Sequence, residues 1–295
     1  MEGSEAGLWP VRLLEGGTGP VRPLKSAAQY PAPAAGGQGP GKALRSPMVK
    51  ADGLRPIDLD GFVLPRERPR HPMYTGLIHS VGRVLESDVS DAGTRLVVAA
   101  PTNLLAEPGP IPGESINIDG CCLSLVESEA GEGEAGPYLA VAFDVTHQTL
   151  DNTTLGGLRE GNRVHLERSC TPTTLLGGHL VQGHVDAVAK VIDVVEQPQW
   201  RIRIEPPARL MPYVSPRGSI CVSGVSLTIA ELSVDEGWFE VALIPDTLTR
   251  TTLGDLRSGD GVNLECDCMV KALVHWQTHY AADRVAEEQA QQPKA

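Results

Sequence analysis

Two imidazoles, His179 and His184, sit in the stretch GGHLVQGHVD, residues 177–186. Imidazole titrates near neutrality and can serve as a general acid or base. The same ring bonded to backbone can equally be structural, and the stretch alone leaves both readings open. Gly177, Gly178 and Gly183 permit close approach of the backbone to another group. A second chemistry comes from short polar side chains. Cys122 and Ser124 lie two apart in DGCCLSL (119–125), and Ser226 and Thr228 lie two apart in SGVSLTI (223–229). On a strand that spacing places both members of a pair on one face. One such pair fits core hydroxyls bonded to backbone; the same pair at matched positions turns the reading toward a ligand. Ser115, Asp144 and Thr149 accompany the first pair, and Ser219 and Thr247 the second. These donors and acceptors suit a heteroaromatic ligand with ring nitrogens and carbonyls. No suitable third ligand is spaced near the histidines, so no metal is expected. Neither a phosphate-binding loop, a dinucleotide fingerprint nor a nucleophile elbow occurs, so no nucleotide cofactor or acyl-enzyme is expected.

The elements that must position these residues are duplicated. TLDNTTLG at 149–156 and TLTRTTLG at 247–254 are 98 positions apart, as are the tails VHLE and VNLE that end at Glu167 and Glu265. DGCCLSL and SGVSLTI are 104 apart, and YTGLIHSVGRV (74–84) lies 107 before VQGHVDAVAKV (181–191). Matched blocks in one order mark a repeated module of about a hundred residues. In the first module RLVVAA, SINIDG, CLSLVE, YLAVAFDV and RVHLER are short, β-branched and bounded by turn residues. RIRIEP, SICVSG, SLTIAE, FEVALIP and GVNLEC repeat this, which predicts small all-β barrels or sandwiches. LGGLREGN (155–162) and LGDLRSGD (253–260) read as a helical turn closed by glycine. Residues 267–290 form the best helix candidate, with Val270, Leu273, Val274 and Trp276 at helical spacing; its apolar face needs a cover, and another subunit is the natural one.

The bulk numbers narrow the function. A net charge of −12 argues against a phosphate-backbone partner such as nucleic acid. No run of about eighteen apolar residues is present, so no membrane span is expected. Aromatic residues make up 4%, so the cores must be aliphatic. The six cysteines show no paired zinc spacing and read as small core residues; Cys266 and Cys268 would share one face of a strand. Reduced thiols and no signal peptide point to the cytoplasm. Residues 1–72 are dense in Gly, Pro and Ala without sustained period and read as a disordered extension or a targeting segment, with a plastid or other organelle as the alternative location.

MYTGLI (73–78), NIDGCCLSL (117–125), FDVTHQTLDNTTLG (143–156), GGHLVQGHVD, SGVSLTI and LIPDTLTRTTLG (243–254) together resemble the α-type riboflavin synthase family, from Met73 to about Trp276. The resemblance implies two similar six-stranded antiparallel, Greek-key-like barrels, over 73–173 and 174–267, and a trimerisation helix at 268–290. It implies dismutation of two 6,7-dimethyl-8-ribityllumazine molecules to riboflavin and 5-amino-6-ribitylamino-pyrimidinedione, without cofactor or metal, in a homotrimer, with lumazine synthase a further candidate partner. One pocket would use Gly76, Leu77 and Ile78 with Ser226, Leu227, Thr228 and Leu243, Ile244, Pro245, Asp246, Thr247 and Leu248. The other would use Cys122, Leu123, Ser124, Asp144, Thr149, Gly183, His184 and Val185. Arg217 would bind substrate where the family often has Lys. His184 would shuttle the proton of the acidic 7-methyl group, Ser226 and Thr228 would bond the reacting ring, and Cys122 or Ser115 would lie near the nucleophile-activation step. The competing reading is a non-catalytic antenna protein that binds lumazine or flavin.

Overall fold

The computed structural model describes residues 73–281, apart from 92, 103–108 and 134–135. The expectations for residues 1–72 and for the helix beyond Ala281 lie outside the described residues. Twelve strands form two closed antiparallel barrels within one compact unit. The first holds β1 (Ser80–Ser90), β2 (Gly93–Pro101), β3 (Ser115–Ile118), β4 (Cys121–Gly133), β5 (Gly136–Val145) and β6 (Arg163–Arg168). The second holds β7 (Ala187–Val195), β8 (Arg201–Glu205), β9 (Ser219–Val222), β10 (Val225–Ser233), β11 (Trp238–Ala242) and β12 (Gly261–Cys266). Around the first barrel the order is β1-β2-β5-β4-β3-β6, and around the second it is β7-β8-β11-β10-β9-β12. The two topologies are therefore identical.

Register repeats as closely as order. β1 bulges between Val84 and Glu86 and β7 between Val191 and Asp193; β4 bulges between Leu125 and Glu127 and β10 between Ile229 and Glu231. A bulge bends its strand and increases local twist, which helps six strands curl into closure. β1 and β7 escaped the strand pattern because several of their buried positions are small, Gly82, Ala187 and Ala189. Each barrel encloses an aliphatic core with one Phe on its fifth strand. Val141 and Phe143 fill β5, and Phe239 and Val241 fill β11 in the opposite order.

The strand-like stretch FEVALIP ends as a strand at Ala242, and Pro245 opens a short helix, α2 (Pro245–Arg250), the counterpart of α1 (His147–Asn152). Proline suits that first turn because its missing N–H has no partner there anyway. Cys266 and Cys268 do not share a strand face: Cys266 ends β12, Asp267 caps the next element through Met269 N, and Cys268 begins α3 (Cys268–His279). None of α3 is buried, and Met269, Leu273 and Trp276, with Tyr280 just beyond, are exposed. Among the described residues no helix is long and apolar enough to cross a membrane.

The barrels are tied by exchanged segments. The chain ahead of β1 and the chain ahead of β7 meet as an antiparallel bridge, Tyr74 with Val181, at 2.7 and 3.1 Å. The first then docks on barrel 2: Ser226 N donates to Gly76 O at 2.8 Å and Ile78 enters that barrel's core. The second docks on barrel 1: Cys122 N donates to Gly183 O at 2.9 Å and Val185 packs on that core. The hairpin tips Asp119-Gly120 and Ser223-Gly224 also meet, all four residues at positive φ, so that a Cβ on either glycine would lie 2.9 Å from the other's nitrogen. Two equivalent side chains clasp the seam. His165 accepts from Thr252 N at 2.8 Å through Nε2 and donates from Nδ1 to Ser223 O at 2.7 Å; Asn263 accepts from Thr154 N at 2.7 Å and donates to Asp119 O at 2.8 Å.

Gly76 and Gly183 have φ of +73° and +75°, and a Cβ there would lie 2.5 Å from Ser226 Cβ and 2.7 Å from Cys122 Cβ. Gly76→Ala and Gly183→Ala should each cost about 1–3 kcal/mol in denaturant unfolding. Gly157→Ala, whose Cβ would meet nothing within 4 Å, should stay within about 0.5 kcal/mol of the parent.

Candidate active site

The exchanged segments set the polar strand of one barrel against the glycine loop of the other, twice, and each meeting place is a candidate ligand cleft. In the first, β10 presents Ser226 and the exposed Thr228 on either side of buried Leu227. Ser226 Oγ lies 2.7 Å from His179 Nδ1. Burial lowers the pKa of His179, against an opposing pull from the charge of Asp267, so the neutral ring is favoured. Gly178 lies against Thr75 and Ser226: a Cβ there would fall 2.1 Å from Thr75 O and 2.9 Å from Ser226 Oγ. Leu77 and Ile244 are exposed at 48% and 59%, whereas Leu243 is buried.

In the second cleft Cys122 replaces Ser226. Its Sγ accepts from the Tyr74 hydroxyl at 3.3 Å, and burial holds that phenol protonated. Ser124, on the same face, stands opposite Ser115 in the β3–β4 register, as Thr228 stands opposite Ser219. Buried Leu123 separates Cys122 from Ser124. The His184 side chain is exposed and makes no hydrogen bond among the described residues.

Carboxylates shape both loops. Glu167 on β6 accepts from Thr75 N at 2.7 Å, Thr75 Oγ1 at 2.8 Å and Gly76 N at 3.0 Å. Glu265 on β12 accepts from Gln182 N at 2.7 Å, Gly183 N at 2.9 Å and His184 N at 3.0 Å. The next donors, Ile78 N and Val185 N, meet no acceptor among the described residues.

The expected site residues therefore fall into groups. The structure brings Gly76, Leu77 and Ile78 to Ser226, and Gly183, His184 and Val185 to Cys122. Several others have local partners: Asp144 pairs with Arg95 at 2.8 Å, Asp246 with Arg250 at 2.8 Å, and Thr149 Oγ1 lies 3.2 Å from Thr146 Oγ1. Thr247 O accepts from Thr251 N within the α2 turn that also carries Leu248. Arg217 is exposed at φ +61°, the place taken by Gly113 in the first barrel, and its guanidinium has no acidic partner among the described residues. Glu167, Glu265 and the His179–Ser226 contact were not anticipated. The repeated Glu ending VHLE and VNLE, a charge at the end of an apolar strand, was the available signal.

An open depression of about 610 Å³ lined by Val188, Lys190, Glu205, Met211, Val234 and their neighbours shares no residue with these clefts. Among the described residues no group of three or more His, Cys, Asp or Glu could hold a metal ion. Burial pushes Glu167 and Glu265 up to about 7, with the N–H donors acting in the opposite direction. A carboxyl raised in the fold supports stability fully below its unfolded value and loses that support as pH rises through its folded value. Glu167→Gln should therefore flatten the fall in unfolding free energy between about pH 5 and pH 8. An unchanged slope in pH-dependent denaturation would contradict this.

Known proteins share this arrangement. The lumazine binding domain matches twice, at residues 75–169 and 182–267. The riboflavin synthase of Mycobacterium tuberculosis (strain H37Rv) is 40% identical over 201 residues, covering 68% of this chain and 95% of the relative. That of Escherichia coli (strain K12) is 33% identical over 205 residues, covering 68% and 90%. Among solved structures, LumP complexed with riboflavin superposes with a TM-score of 0.55 at 27% identity, covering 65% of this chain and 97% of that one. LumP complexed with 6,7-dimethyl-8-(1'-D-ribityl) lumazine has the same fold, with a TM-score of 0.55 at 24% identity over 65% and 98%. Two matched domains, relatives covered almost end to end and twin clefts in one chain agree: the chain belongs to the riboflavin synthase family of transferases, built from two lumazine-binding domains.

Proposed function

We propose that this chain dismutates two molecules of 6,7-dimethyl-8-ribityllumazine, one giving a four-carbon unit to the other, to yield riboflavin and 5-amino-6-ribitylamino-pyrimidinedione. The observation that carries this reading is the pair of equivalent but unequal clefts. A reaction between two copies of one ligand gains most of its rate from holding both in a fixed mutual orientation. A duplicated fold offers two related seats, while Cys122 against Ser226, and Leu77 against His184, make them unlike. Unlike seats suit a donor and an acceptor.

In this reading Ser226 and Thr228 bond one lumazine ring, with His179 orienting the Ser226 hydroxyl. Cys122, Ser124 and Ser115 bond the other, and exposed His184 moves the proton of the 7-methyl group. Arg217, Asp144, Thr149 and the stretch from Leu243 to Leu248 complete the walls. The uncovered apolar stripe of α3 supports a homotrimer, with clefts of neighbouring subunits facing each other. A cytoplasmic setting, supported by cysteines that are all free, and contact with lumazine synthase are further parts of the proposal.

The likeness to LumP favours a second reading, a protein that binds lumazine or flavin without turnover. Retention of both polar pairs and of His184 weighs against it. Purified protein incubated with 6,7-dimethyl-8-ribityllumazine alone should develop riboflavin absorbance; tight binding without that absorbance would select the second reading. His184→Ala should lower kcat by about 10²- to 10⁴-fold with little change in lumazine affinity, and equal losses in both would remove it as proton shuttle. Leu273→Glu with Trp276→Glu on α3 should convert trimer to monomer in sedimentation, and a monomeric parent would contradict the assembly.

A further inference from the structure

The proposed chemistry leaves two buried carboxyl groups unused. Glu167 and Glu265 are 1% and 2% exposed, and neither makes an ion pair among the described residues. Lys271, the cation nearest in effect to Glu265, is committed to Asp186 at 3.0 Å. Burying an unpaired carboxylate is costly unless hydrogen bonds replace its hydration. Here each receives three, all from the loop that borders a cleft.

The two clamps are equivalent to the residue. Glu167 and Glu265 are 98 apart, and Thr75–Leu77 and Gln182–His184 are 107 apart, the offsets of the repeat. In the second clamp three successive N–H groups turn onto the carboxylate. In the first, two do so, and Leu77 N reaches it through the Thr75 hydroxyl at 3.1 Å. Turning three donors inward leaves the carbonyls of Gly76 and Gly183 to receive Ser226 N and Cys122 N, and leaves Ile78 N and Val185 N open. A neutral amide cannot substitute, because its NH₂ would face the same N–H donors. Around the repeat other seam positions have diverged, His165 against Asn263 and Cys122 against Ser226, whereas the carboxylate is the same in both halves.

We infer that Glu167 and Glu265 are positioning residues, one for each ligand cleft, which fix the loop main chain so that Ile78 N and Val185 N stay open toward the bound ring and, for Glu265, so that His184 is held in place. The inference rests on lumazine occupying these clefts. It makes the carboxylates act through the loops, with no contact to substrate.

The test uses the full chain with Glu167→Gln, Glu265→Gln and Thr75→Val, each followed by thermal unfolding, lumazine fluorescence titration and turnover. Glu265→Gln should lower kcat about 10- to 100-fold, the cost of a small misplacement of a reacting group. Adding Glu265→Gln to His184→Ala should lower kcat little further, because Glu265 acts through His184. The two losses multiplying would overturn the inference for Glu265. Glu167→Gln should weaken lumazine binding about tenfold and multiply with His184→Ala, since it serves the other cleft. If Glu167→Gln fails to fold, Thr75→Val decides for that clamp: it keeps the carboxylate and two backbone donors, and should still weaken lumazine binding severalfold. If Glu265→Gln fails to fold, Glu265→Asp, a carboxylate one methylene short of the loop, replaces it and should lower kcat in the same way. Unchanged binding in folded Thr75→Val or Glu167→Gln would overturn the inference. A parent protein that binds no lumazine would remove the function and the inference together, whereas a binding parent with equally binding variants removes the inference alone.

Discussion

The short contacts at Gly76 and Gly183 govern most of this structure. Each glycine presses its backbone against a strand of the opposite barrel, with no space for a side chain and a φ that other residues adopt with strain. From that contact follow the exchange of Ile78 and Val185 between cores, the abutting hairpin tips and the clasps of His165 and Asn263. The barrels are thus not two independent domains on a tether. Each is completed by a segment that precedes the other, and the clefts exist because of that exchange.

Energetically the seam differs from the barrels: beside a small apolar cluster of Tyr74, Val181 and Cys221 it is polar. The cores are aliphatic and close-packed, and they supply the non-directional part of stability. The seam relies on buried hydrogen bonds whose partners are fixed pairwise, and loss of one member leaves the other unsatisfied at about 1–3 kcal/mol. Such an arrangement is specific rather than strong. It admits one relative placement of the barrels, which fixes the strand and loop of each cleft against one another.

The sequence made the barrels legible because strand alternation and turn residues are local signals. Ten strand-like segments were visible, and the matched offsets of 98, 104 and 107 made the duplication plain. Small residues at the buried positions of β1 and β7, Gly82, Ala187 and Ala189, weakened their apolar alternation, and α1 and α2 were too short to show a period. The polar pairs Cys122–Ser124 and Ser226–Thr228 could be found by spacing alone. Their partners could not: Gly76 lies 150 positions from Ser226 and Gly183 lies 61 from Cys122, and nothing local records which loop meets which strand. Of the two histidines in GGHLVQGHVD, only the fold separates buried His179, bonded to Ser226, from exposed His184.

The central claim is that two copies of one ligand react with each other in unlike clefts of a duplicated fold. The most direct measurement is the stoichiometry of turnover with 6,7-dimethyl-8-ribityllumazine as the only added substrate. One riboflavin and one 5-amino-6-ribitylamino-pyrimidinedione should form for every two lumazines consumed. Riboflavin formation that requires a separate four-carbon donor, or no riboflavin at all from a protein that binds lumazine, would contradict it.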